Sequence, residues 1–176
     1  MRLVFLLVLF ALVSCRETDL NKELLFDVPT FFEGEKNQVK QNFSSLNKTF
    51  LYDNKTDSQV LIKFNAEKEL NDFLELDLNK PAYVGAFKKS EIKLDSGSFV
   101  LIYESSQKGV DLKKVEIVFR NETPQSLKFY FEESNNLYES GKELFYEVNK
   151  GFVKSGFQRT KFKDPVKYRI EGIYNN

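Results

Sequence analysis

The chain has 176 residues, with 26 basic and 26 acidic side chains, so its formal charge is zero. That balance excludes nucleic-acid binding driven by net charge, and the length suits a single domain with a substantial core. There is no histidine, no tryptophan and one cysteine. These absences remove the usual zinc and copper sites and any Ser-His-Asp or Cys-His catalysis, while eighteen Phe and eight Tyr supply a core.

Arg2 is followed by eleven unbroken apolar residues, Leu3 to Val13. A helix needs about 20 such residues to cross a bilayer. A charged start, a short apolar run and small residues before a cut have the form of a secretory signal peptide. The run closes on Leu12-Val13-Ser14-Cys15, which holds the chain's only cysteine. These four residues resemble the lipobox of bacterial lipoprotein precursors. The resemblance covers residues 1–15 and implies diacylglycerol on the Cys15 sulfur, cleavage after Ser14 and an acyl chain on the freed amine. No cofactor beyond this covalent lipid is expected. One acyl chain binds membranes only marginally, whereas two or three hold the protein there. Abundant Lys, Asn, Phe and Ile with little Ala or Gly resembles the composition of spirochaete-type lipoproteins. Arg16, where an aspartate would signal inner-membrane retention in bacteria using that rule, points to the outer membrane, on its periplasmic or surface face. With Cys15 acylated no disulfide forms, so the core alone must hold the fold.

Three segments follow from this reading: a signal peptide over 1–14, a lipidated N-terminus and polar tether over 15–29 ending at Pro29, and one β-rich domain over 30–176. Residues 30–47 are ambiguous. Val39, Phe43 and Leu46 have helical spacing, but Gly34 and the Ser44-Ser45 pair weaken it. Strands are expected at 49–52 and 59–64, separated by a polar turn. An amphipathic helix is expected over 66–78. Asn65 caps it, Glu67 and Glu69 suit its positive end, and Ala66, Leu70, Phe73 and Leu74 form its apolar stripe. Beyond Pro81 the pattern predicts strands at 82–87, 91–94, 98–104, 113–120, 126–132, 143–148, 158–163 and 167–174. Closely spaced turn signals make these an antiparallel meander with one dry face. The expected class is therefore α+β, mostly β: a meander sheet, open or closed into a half-barrel or sandwich, with one helix packed on it. Residues 99–103 and 144–146 are apolar on both faces. Either the helix or the N-terminal segment covers the second face, or a half-barrel encloses an acyl chain.

Between Lys150 and Arg169 seven bases face one acid, giving that segment a charge of +6. Lys154, Arg159, Lys161, Lys163, Lys167 and Arg169 are the candidate anion- or partner-binding residues. If 158–163 is a strand, Arg159, Lys161 and Lys163 share a face and suit an acidic protein, a glycan or a lipid headgroup. The competing readings are a lysine-guarded edge strand or neutralisation across the sheet by Glu132, Glu133, Glu143 and Glu147. Asp72 and Glu75 share a helix face and read as its wet side. No phosphate-loop, dinucleotide or nucleophile-elbow motif is present.

The functional expectation is a lipid-anchored envelope lipoprotein that binds a partner and is not an enzyme. The alternative is a lipid or lipoprotein carrier, or envelope-assembly factor, with an apolar cavity. A hydrolase working through two carboxylates is a third reading.

Overall fold

A computed structural model of the chain describes residues 24–95 and 97–176. The signal segment and Cys15 lie outside the described residues.

The first element, α1 (Val28–Asn42), starts two residues ahead of the boundary expected at 30. Asp27 caps it by accepting a hydrogen bond from the Thr30 N–H at 3.0 Å. Pro29 occupies its first turn, where its missing N–H has no intrahelical partner to lose. Val28, Phe32, Glu35 and Val39 form the buried stripe. Gly34 faces open space, so it costs propensity without disturbing packing. Ahead of the helix, the Leu25 N–H donates to the Asn79 side chain at 2.9 Å and the Asn79 amide donates back to the Leu25 carbonyl at 3.1 Å. Phe26 lies edge-on to Phe119.

Strands β1 (Ser45–Tyr52) and β2 (Lys55–Ile62) form a tight hairpin. Asp53 and Asn54 both have positive φ, 43° and 69°, which is what a two-residue hairpin turn requires. The expected six-residue loop is therefore only two residues long, and 55–58 belong to the edge strand. The second helix, α2 (Ala66–Leu74), is capped by Asn65 as expected. It stops four residues before 78, where the Asn79 N–H turns back onto the Asp77 carboxylate. No strand forms at 82–87. Pro81 starts a 3₁₀ turn, Pro81–Tyr83, and Gly85 at φ +70° breaks the extension. Seven strands follow: β3 (Lys88–Asp95), β4 (Ser98–Glu104), β5 (Leu112–Arg120), β6 (Thr123–Ser134), β7 (Tyr138–Glu147), β8 (Gly151–Thr160) and β9 (Lys163–Asn175).

All nine strands join one open sheet in the order β2-β1-β9-β8-β7-β6-β5-β4-β3. Every pairing is antiparallel. The sheet is not a sandwich, and two helices rather than one pack on it. Registry brings Leu101, Ile117, Leu127, Tyr146, Phe152 and Gly172 into one cross-strand row beneath the helices. Gly172 is needed there, because a Cβ would come within 2.5 Å of the Phe152 ring. Phe32 of α1 stacks on Phe73 of α2 with centroids 4.9 Å apart, and Phe129, Tyr146 and Phe152 pack around them. These rings are essentially inaccessible to solvent, so aromatic side chains fill the space between helices and sheet. The helices and the segment at Phe26 thus dry the face that Phe99, Leu101 and Tyr103 share. No helix among the described residues is long and apolar enough to cross a membrane.

Candidate functional site

The two faces of the sheet carry different chemistry. On the helix-covered face the polar groups act as fasteners. Lys48 of β1 pairs with Glu69 of α2 at 2.7 Å, and Lys154 of β8 pairs with Asp72 of α2 at 2.6 Å. The Tyr146 hydroxyl donates to Glu35 of α1 at 2.8 Å. Glu35 is 7% exposed. Burial pushes its carboxyl above the ordinary range, and the Tyr146 bond offsets part of that rise. Burial likewise raises the Tyr146 and Tyr174 phenols, which stay protonated. Glu35 was not singled out from sequence. Its place three residues after Phe32 and four before Val39, on the apolar stripe, is the signal that could have found it.

The helix-free face is a polar lattice. Lys114 bridges Glu104 and Glu116 at 3.4 and 2.8 Å. The Tyr130 hydroxyl donates to Glu116, Lys128 lies over the Tyr130 ring, and Lys128 pairs with Glu143. At the end of β6–β9 far from the 121–122 turn, this face opens into a groove of about 870 Å³. Cross-strand registry builds it. Tyr130, Glu143, Ser155, Arg169 and Leu51 form one row, and Glu132, Gly141, Phe157 and Lys167 the next. Gly141 lets the Phe157 ring lie flat on the sheet, since a Cβ there would meet the ring at 2.5 Å. Four carboxylates border the groove on this face (Asp53, Glu132, Glu139, Glu143) against two cations (Lys167, Arg169), while Glu133 and Lys142 lie on the opposite strand face, Lys142 over the Phe131 ring. Among the described residues no His, Cys, Asp or Glu cluster is arranged to hold a metal ion.

The basic segment does not form a single strip. Strand β8 ends at Thr160 and β9 begins at Lys163, so Lys161 sits in a turn and the expected strand over 158–163 is two strands and their connection. Arg159, Lys161 and Lys163 therefore share no strand face. The register requires this: Thr160 pairs back onto Lys163 and forward onto Tyr138. Lys154 points under the helices to Asp72, away from the open face of the sheet. Arg159 meets Glu139 at 3.4 Å and Arg169 meets Glu171 at 3.7 Å. Of the expected set, Lys167 and Arg169 line the groove. Glu147 pairs with Lys150. The groove's excess of carboxylates makes it a poor seat for a polyanion.

No protein-family model, curated protein or solved structure matches this chain.

Proposed function

We propose that this protein is a lipid-anchored bacterial envelope lipoprotein acting as a binding module, with no catalytic step of its own. Cys15 is the acylated residue, and the outer membrane is the bilayer it enters. The observation that carries the binding role is the division of the sheet. One face is consumed by α1 and α2, while the other stays open and holds the groove around Phe157, Ser155 and Arg169. A ring laid flat beside hydroxyl, guanidinium and carboxylate groups suits a ligand that is apolar on one side and rich in hydrogen-bonding groups on the other. The filled interior beneath the helices does not favour the carrier reading, which needs a hollow there.

Two measurements test the proposal. Metabolic palmitate labelling should mark the protein and fail to mark a Cys15→Ser variant, and an unmarked parent protein overturns the anchor. A photo-crosslinker at position 157 should yield defined adducts on intact cells, whereas one at position 92 on β3 should not. Equal adduct patterns at the two positions, or none at 157, remove the groove from the account.

A further inference from the structure

The most exposed large apolar side chain among the described residues is Phe162, at 87%. It sits in the β8–β9 turn between Lys161 and Lys163. Beside it Leu137, 65% exposed, caps the β6–β7 connection. The two hairpin ends are tied together, since the Lys161 N–H donates to the Leu137 carbonyl at 3.1 Å. The β6–β7 end is also braced internally. The Asn135 N–H donates to the Tyr138 carbonyl at 2.8 Å, and the Leu137 N–H to the Asn135 side chain at 2.9 Å.

We propose that this doubled hairpin end, with Phe162 and Leu137 at its tip, docks into the headgroup layer of a membrane bearing anionic lipid. Single exposed apolar residues are ordinary. Here two are held at one end by a hydrogen bond. Among the described residues neither Lys161 nor Lys163 takes part in an ion pair, so both ammonium groups are available to phosphate. An apolar tip flanked by cations is what binds the interface of an anionic bilayer. The bonds of Asn135, Leu137 and Lys161 pair part of the tip backbone, which lowers the number of peptide groups stripped of water on entering the interface. The exposed Val60 and Ile62 offer no such arrangement, lying along the edge strand β2 with Ser58 and Gln59. The docking reading does not depend on the groove. With the acyl anchor holding the protein at a bilayer, the tip sets how the sheet stands on it, and Glu139 and Pro165, which border both the groove and the hairpin end, come close to the membrane.

The absence of tryptophan makes Phe162→Trp a sole reporter at a position whose side chain packs on little. The full-length protein, processed in bacteria, is reconstituted on vesicles of phosphatidylcholine with or without phosphatidylglycerol. Expected is blue-shifted emission, quenched by nitroxides placed near the headgroups, only where phosphatidylglycerol is present. Adding Lys161→Gln and Lys163→Gln should shift the inserted-to-free ratio about thirtyfold toward free. Solvent-like emission on both vesicles overturns the proposal. So does a shift produced by polyglutamate in solution but by neither vesicle, which assigns the tip to an acidic polypeptide. Co-sedimentation with phosphatidylcholine vesicles reads the Cys15 anchor separately, so the anchor and the tip can fail independently.

Discussion

The helix-covered and helix-free faces of one sheet use the same residue types to opposite ends. Beneath the helices, Lys48, Lys154 and Glu35 each have one close partner and a fixed place. On the open face, Lys114, Glu116, Tyr130 and Lys128 form a chain in which each group has two partners and stays partly exposed to solvent. A buried charge without its partner is costly, whereas a wet one loses little. The difference teaches that stability should concentrate on the covered face, leaving the other free to change with its ligand.

Substitutions can break that contrast, and the largest effect belongs to the aromatic layer. Phe73→Ala should cost about 3–5 kcal/mol in urea denaturation, because Phe73 stacks on Phe32 and touches Tyr146 and Phe152. A loss below 1 kcal/mol, roughly that of a surface site, would mean the interior is not packed as described. Next comes Gly172→Ala, expected to cost about 1–3 kcal/mol by driving a methyl into the Phe152 ring. A smaller effect, with a definite sign, should come from Glu35→Gln. The raised folded-state pKa of Glu35 means its protonated form suits the fold, so its contribution is fully present below the ordinary carboxylate range. That contribution is lost as pH rises through the raised value. The variant should therefore melt at a higher temperature than the parent near pH 8 and show no such advantage near pH 4. An unchanged difference between those two pH values would show that Glu35 does not titrate as its burial implies. The smallest effect is on the open face. Lys114→Ala should cost less than about 1 kcal/mol, and less again in high salt. A large loss there would erase the distinction between the faces.

Much of the fold was legible because it is local. A continuous apolar run between turn signals marked β4 at its observed limits, 98–104, and alternation and turn signals placed β5, β6 and β9 within a few residues. Helix α1 was obscured by Gly34 and the Ser44-Ser45 pair, which weakened the helical spacing, and by Pro29, which reads as the end of the tether but sits in the first turn. The strand expected at 82–87 had the right residue types, yet Pro81 before it and Gly85 within it made it a turn. The division of the basic segment was the hardest to see. Residues 160–163 contain no Gly, Asn or Pro, and the turn there is imposed by pairing with β7 and β9. The groove is equally non-local, since Gly141 and Phe157 lie on neighbouring strands and meet only through registry.

The paired hydrogen bonds between Leu25 and Asn79 have a mechanical consequence. A pull arriving along the chain from residue 24 loads that clamp, and the Phe26 N–H bond to the Tyr103 hydroxyl at 3.1 Å, before it reaches the first turn of α1. Tension from the N-terminal side is thereby delivered to β4 and to the loop after α2, so the helix over the aromatic layer is shielded from being peeled away.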